Sequence, residues 1–99
     1  MATVQIPTTL KLGPLVYQVE PRDRVPDKEH PETELYGHID YAGQVIEVAT
    51  AYGPTRAEIT LLHEAIHAVD DFFMLELSER QVECLAKGLY MALHDSGTV

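Results

Sequence analysis

Three residues in one five-residue stretch have the types and the spacing of a metal-dependent hydrolase site. His63, Glu64 and His67 form the pattern H-E-x-x-H. Histidines four positions apart lie one turn apart on the same face of an α-helix, so both imidazoles can bind one ion. Glu64 points in a neighbouring direction, where its carboxylate can take a proton from a water on the metal without being a ligand. The stretch therefore predicts a zinc site with Glu64 as the general base.

A catalytic zinc site needs a third protein ligand, and the following helix offers Glu79 and Glu83. Relative to Val82, Glu83 lies about 100° around that helix, on the flank of the apolar stripe that the histidines occupy on the first helix. Glu79 lies in the first turn, where the helix dipole explains a carboxylate equally well. We expect His63, His67 and Glu83 to hold the metal. Glu79 is the alternative ligand, and a surface role for both glutamates is a third interpretation.

Three further residues, Asp70, His38 and Cys84, have side chains that could also take part in the site. Asp70 lies about 20° from His63 around the helix, so it can either orient a ligand imidazole or remain in solvent. His38 falls on a predicted strand and is expected to be an ordinary exposed histidine. Cys84 is the only cysteine and cannot form an internal disulfide, which favours a reducing compartment. We expect Cys84 to be unreactive.

Two amphipathic helices must position these side chains. The first is predicted from Arg56 to Phe73, behind a T-x-x-E capping box at Thr55 and Glu58. The second is predicted from Ser78, with a capping partner at Gln81, to about His94. The expected buried stripe of the first helix is Ile59, Leu62, Ile66, Val69 and Phe73, and that of the second is Val82, Leu85, Leu89 and Leu93.

The half of the chain before the helices reads as short strands. A first hairpin is predicted from residues 8–12 and 15–19 around Gly13-Pro14, and a second from 35–41 and 44–50 around Ala42-Gly43. Residues 20–34 are charged and rich in proline, so we expect a surface loop there. The predicted fold is one α+β domain, residues 1–99, with a three- or four-stranded mostly antiparallel sheet of two hairpins followed by two packed helices. Residues 1–7 and 95–99 are expected to be flexible ends.

The composition narrows the classes of partner. The chain has a formal net charge of −9 and lacks the clustered lysine and arginine residues that phosphate binding needs. We therefore expect no nucleic-acid partner. The sequence has no apolar run near the ~20 residues that span a bilayer and no signal-peptide pattern, so we expect no membrane association. The expected location is the cytoplasm, and nothing in the sequence predicts the oligomeric state.

Two segments, TLLHEAIHAVD and LSERQVECLAKGLYMALHD, resemble small phage and prophage metallopeptidases, a group similar to ImmA/IrrE-type and minimal gluzincin domains. The likeness extends to IPTTLKLGPLVYQV and ELYGHIDYAGQVIEVAT. It implies a gluzincin arrangement, in which a glutamate in an E-x-x-A setting completes the site, and Glu83 to Ala86 match that setting. It also implies an edge strand beside the cleft, residues 45–50, to which an extended peptide substrate adds. A phage-encoded chain would act in the host cytoplasm.

Larger gluzincins also supply a tyrosine or histidine that stabilises the oxyanion. The candidates here are Tyr36, His38, Tyr52 and Tyr90, and nothing in the sequence chooses among them. The expected function is a zinc-dependent metallopeptidase that hydrolyses a peptide bond of a protein or peptide, with Glu64 as general base. The alternative is a zinc-stabilised protein-binding module of phage origin with little or no catalytic activity.

Overall fold

The computed structural model describes residues 6–95 and confirms the predicted α+β layout. Of the ends expected to be flexible, residues 1–5 and 96–99 lie outside the described residues, whereas Asp95 belongs to the last helical turn. The elements are β1 (Thr9–Leu12), β2 (Leu15–Arg22), β3 (Val25–Pro26), β4 (Glu34–Leu35), β5 (Gly37–Asp40), β6 (Val45–Ala49), α1 (Pro54–Phe73) and α2 (Glu79–Asp95).

Both predicted hairpins are present and join into one four-stranded sheet with the order β1-β2-β6-β5. β1 pairs antiparallel with β2, and β5 pairs antiparallel with β6. The two hairpins meet through a parallel pairing of β2 with β6. The expectation that residues 45–50 form the edge strand is therefore wrong, because β6 is hydrogen-bonded on both sides. The edge strand of this hairpin is β5.

Residues 20–34 are more ordered than the predicted surface loop. β2 continues through Arg22, and β3 then pairs with β4 in a separate two-stranded ribbon. Val25 on β3 is buried, with 1% of its surface exposed. Asp27 accepts hydrogen bonds from the backbone N–H groups of Glu29 and His30, which closes the turn between the two short strands. One apolar side chain and one turn-forming aspartate thus organise a segment whose composition is that of a loop.

The sheet packs against α1, but through a different face of the helix from the predicted one. The fully buried positions of α1 are Ala57, Thr60, Glu64 and Ala68, which recur every three or four residues and lie roughly opposite the predicted stripe. Ala57 and Ala68 pack with core residues of the two central strands, Tyr17, Val19, Ile46 and Val48, whereas Thr60 and Glu64 lie against the edge strand at Gly37. Small side chains let a helix approach a sheet closely. The large apolar residues of the predicted stripe are only half-buried at best, and Phe73 is 60% exposed.

The start of α1 also differs from the prediction. The N-cap residue is Gly53 with φ 95°, and Pro54 occupies the first turn, where its missing N–H costs nothing. Thr55 lies inside the helix and does not cap it. The turn before α1 requires a positive φ that glycine adopts without strain, so the backbone conformation of Gly53 overrides the T-x-x-E pattern.

The start of α2 confirms its predicted capping box. The backbone N–H of Ser78 donates to Gln81 Oε1 at 2.8 Å, and that of Gln81 donates to Ser78 Oγ at 3.1 Å. Of the predicted stripe only Val82 is fully buried, together with Ala86, while Leu85 and Leu89 are exposed. α2 packs chiefly on α1, so only a narrow strip of its surface is covered. Within residues 6–95, neither helix is long and apolar enough to cross a membrane.

Candidate metal centre

His63 and His67 lie one turn apart on α1 and turn their imidazoles towards each other. Their Nε2 atoms are 3.1 Å apart, and the side chains are 16% and 19% exposed. Neither position belongs to the face that packs on the sheet. The helix therefore presents two imidazole nitrogens side by side at the border between the core and solvent, as the H-E-x-x-H spacing predicts.

A tight corner after α1 brings the next helix back to these histidines. Met74 ends α1 in the left-handed conformation, with φ 53°, and its N–H donates to the backbone oxygen of Asp70. The Asp70 carboxylate accepts the N–H of Leu77 at 3.1 Å. Asp70 is thus neither a partner of an imidazole nor a solvated residue, the two roles considered for it, but the residue that fixes the corner. The capped start of α2 then follows at once.

Glu79, in the first turn of α2, faces both histidines. Its Oε1 lies 2.6 Å from His63 Nε2, and its Oε2 lies 3.2 Å from His67 Nε2. One ligand atom from each of the three residues falls within 4.8 Å of the others. Donors at zinc distances of about 2.0–2.2 Å in a tetrahedron are roughly 3.3–3.6 Å apart, so a small expansion of this cluster fits the ion. Two nitrogens and one carboxylate also match the donor types of a catalytic zinc site.

Glu83, which the sequence favoured as the third ligand, lies on the other side of the His63 ring. Its Oε1 is 2.8 Å from His63 Nδ1, the nitrogen that points away from His67 and Glu79. The geometry therefore favours Glu79 for the ligand position. Glu83 instead occupies the place of a carboxylate that accepts the second ring N–H of a ligand histidine and fixes its tautomer. Both glutamates lie on the same flank of α2, and the way α2 packs on α1 decides which one reaches Nε2.

Cations surround the second oxygen of Glu83. Arg56 Nη1 lies 3.4 Å and Lys87 Nζ lies 3.3 Å from Glu83 Oε2. Partial burial raises the pKa of this carboxyl, but the hydrogen bond with His63 and the positive charge of Arg56 outweigh it and hold the pKa at about 2. Glu83 is therefore an anion at neutral pH.

Glu64 forms the floor of the site, with 6% of its surface exposed. Burial raises its pKa to about 7, while His63 opposes the shift. The carboxylate lies directly against the edge strand. A Cβ atom built on Gly37 would come 3.1 Å from Glu64 Oε2, 2.8 Å from the backbone oxygen of Glu47 and 2.5 Å from Thr60 Cγ2. Only glycine allows β5 and α1 to approach this closely, so Gly37 is part of the site.

An open cleft of about 520 Å³ lies between β5 and the two helices. Of the four side chains considered for the oxyanion, Tyr36 and His38 line this cleft. Tyr52 packs edge-on against Tyr36, with ring centroids 5.1 Å apart, and donates its hydroxyl hydrogen bond to Glu34. Tyr90 stacks on His94 and does not line the cleft. His38, expected to be an ordinary exposed histidine, is exposed and borders the cleft.

The sequence analysis did not identify six of the residues that line the cleft: Leu35, Gly37, Ile39, Tyr41, Arg56 and Thr60. Arg56 lies seven positions before His63, which is two helical turns, so its spacing could have placed it on the histidine side of α1. Burial, followed by the negative charge of Asp71, raises the pKa of Tyr41 to about 12. No local pattern marks Gly37, because its role depends on how closely a distant helix approaches.

No protein-family model, no curated protein and no solved structure matches this chain.

Proposed function

We propose that this protein is a zinc-dependent metallopeptidase in which His63, His67 and Glu79 hold the ion and Glu64 is the general base. The observation that carries the proposal is the convergence of two imidazole Nε2 atoms and one carboxylate at the mouth of an open cleft, with a buried carboxylate beside them. A purely structural site has no use for such a base. Glu83 orients His63 from its outer nitrogen.

The chain's own residues supply the proton transfers of the reaction. A bound zinc ion supplies Lewis-acid chemistry, since it lowers the pKa of a water molecule and polarises the scissile carbonyl. Glu64 accepts a proton from the attacking water and then passes it to the leaving amine as the C–N bond breaks. Glu64 is positioned for both steps, because its buried carboxylate lines the cleft beside the two imidazoles and can accept and return a proton there. Tyr36 and His38 are the cleft residues available to donate a hydrogen bond to the oxyanion.

The proposed substrate is an extended peptide segment. β5 is the edge strand of the four-stranded sheet, and its residues Gly37, His38 and Ile39 line the cleft together with Leu35 and Tyr36 just before it. A peptide can add its main chain to the outer side of this edge strand and place its side chains alternately into the cleft and into solvent. That mode of binding brings a peptide carbonyl past Glu64, which touches the same strand at Gly37.

Hydrolysis of a quenched-fluorescence peptide library tests the activity. The zinc-loaded protein should release fluorescence, and Glu64→Gln should bind zinc as the wild type does but lose at least 100-fold in rate. A Glu64→Gln variant with the wild-type rate would refute the general-base assignment. Zinc binding without any hydrolysis would favour the second candidate, a zinc-stabilised protein-binding module.

We further propose that the protein acts in the cytoplasm. The single cysteine, Cys84, is exposed and free, as suits a reducing compartment. Fractionation of expressing cells tests this, and recovery of the protein outside the cytoplasmic fraction would contradict it.

A further inference from the structure

Arg56 is the only lysine or arginine among the described residues that line the cleft. Its guanidinium carbon lies 4.4 Å from the ring centroid of Tyr36, and its side chain is 20% exposed. The ring covers one side of the guanidinium, which is a favourable arrangement for a cation and an aromatic face. Arg56 Nε is also 3.4 Å from Thr60 Oγ1, one turn along α1. The guanidinium is therefore held from three directions, with Glu83 on the third.

The two oxygens of Glu83 have separate partners. Oε1 contacts His63 Nδ1 at 2.8 Å, whereas Oε2 accepts hydrogen bonds from both terminal nitrogens of Arg56, each at 3.4 Å. Arg56, Glu83 and His63 thus form a continuous line of contacts across the gap between α1 and α2. Rotation of the Glu83 side chain away from His63 would break the ion pair with Arg56 as well.

Glu79 has no such anchor. Its side chain is 70% exposed, and among residues 6–95 its only ion-pair partners are His63 and His67. The two glutamates lie one turn apart and both can reach His63, so their difference in surroundings separates their roles. Glu83 contacts Arg56 and the outer nitrogen Nδ1 of His63, whereas Glu79 has no lysine or arginine partner among residues 6–95 and contacts Nε2.

We propose that Arg56 is a positioning residue of the metal centre. It holds Glu83 on His63 Nδ1, which keeps Nε2 of that imidazole directed at the ion and leaves Glu79 as the third ligand. This inference rests on the proposed function, because it assumes that His63, His67 and Glu79 bind the metal.

Lys87 provides a matched control for the effect of charge alone. Its ammonium lies 3.3 Å from the same Glu83 oxygen, but its side chain is 52% exposed and it follows Glu83 by four positions on the same helix. An exposed pair of this kind contributes little, whereas the side chain of Arg56 is only 20% exposed and packs on the ring of Tyr36. Arg56 and Lys87 thus carry the same charge beside the same oxygen but differ in exposure and in the helix that holds them.

The test is a double-mutant cycle read by zinc affinity, measured by competition with a chromophoric chelator. Arg56→Met should weaken zinc binding about 3- to 10-fold, less than the 10–100-fold that loss of an orienting partner causes. Lys87→Met should change it by less than about 2-fold. In a Glu83→Gln background, Arg56→Met should have no further effect, because Arg56 acts through Glu83. Arg56→Met with wild-type affinity, or with the same loss in the Glu83→Gln background, would overturn the inference.

Cobalt absorption separates positioning from general loss of structure. Co²⁺ in place of zinc should give a visible band whose maximum shifts in Arg56→Met and stays unchanged in Lys87→Met, and an unshifted band in Arg56→Met would count against positioning. If Arg56→Met fails to fold, Arg56→Lys replaces it, since lysine keeps the charge but lacks the planar fork. Arg56→Lys should then lose affinity, and full rescue by lysine would overturn the inference. Absence of metal binding by the wild type would refute the proposed function itself, and with it this inference.

Discussion

Glu79 and Glu83 lie one turn apart on α2 and face opposite nitrogens of the same imidazole. Glu79 Oε1 is 2.6 Å from His63 Nε2, and Glu83 Oε1 is 2.8 Å from His63 Nδ1. In the proposed metal centre, Glu79 would bind the ion and Glu83 would orient the imidazole of His63. This division of roles makes the two glutamates experimentally distinguishable, although they share one helix face.

Substitution of each glutamate should weaken zinc binding to a different degree. Glu79→Gln removes a ligand, so we expect loss of tight, stoichiometric binding. Glu83→Gln removes only the orienting partner, so stoichiometric binding should remain with an affinity reduced about 10–100-fold. Isothermal titration of the two variants with zinc measures both effects. The opposite order of the two losses would return Glu83 to the ligand position.

Zinc should stabilise the folded protein. An ion that binds only the native state at 100 times its dissociation constant adds about 2.7 kcal/mol to the free energy of unfolding, which raises the Tm of a domain of this size by roughly 10–20 °C. His67→Ala lacks one ligand and should show almost no increase at the same zinc concentration. Thermal unfolding followed by circular dichroism provides the comparison, and an equal increase in both proteins would place the ion elsewhere.

Gly37→Ala should disturb both the fold and the site. The added Cβ would meet Thr60 Cγ2 at 2.5 Å and the Glu47 backbone oxygen at 2.8 Å, so we expect a loss of about 1–3 kcal/mol in stability and a displaced Glu64. Gly88→Ala is the matched control. No atom lies within 4 Å of a Cβ built there, and Gly88 is inside α2, so alanine should stabilise by about 0.5–1 kcal/mol. Urea unfolding of both variants measures the change in the free energy of unfolding. A Gly37→Ala variant as stable as the wild type would contradict the close approach of β5 to α1.

The start of α2 should depend on Ser78 far more than the start of α1 depends on Thr55. Ser78→Ala removes an observed cap and should cost about 1 kcal/mol. Thr55 occupies a predicted cap position but makes no capping bond, so Thr55→Ala should change stability by less than about 0.5 kcal/mol. Equal losses in a chemical unfolding experiment would mean that Thr55 caps α1 after all.

Local patterns predicted the elements well, because they depend on neighbouring residues. The hairpins follow from turn residues between alternating strands, and the capping box of Ser78 and Gln81 needs only a three-residue spacing. The pairing of His63 with His67 likewise follows from the helical repeat alone. Each of these features lies within one element or one hairpin.

Several details that depend on how the elements pack were predicted wrongly or not at all. The parallel pairing of β2 with β6 joins distant segments and turns the expected edge strand into a central one. A helical repeat fixes the angle between Glu79 and Glu83 but not which of them reaches the histidines, since the corner at Met74 sets the position of α2. The sheet packs on the face of α1 that carries Ala57 and Ala68 rather than on the face with the large apolar residues. The spacing of apolar residues along the helix does not show which face the sheet covers.

The most direct test of the proposed site is the zinc content of the purified protein beside that of His67→Ala, measured by elemental analysis without added chelator. His67 supplies one of two imidazole nitrogens that lie 3.1 Å apart, so its loss should abolish tight binding. We expect about one zinc per chain in the wild type and almost none in the variant. No metal in the wild type after zinc is supplied, or an equal content in His67→Ala, would contradict the proposed metal centre.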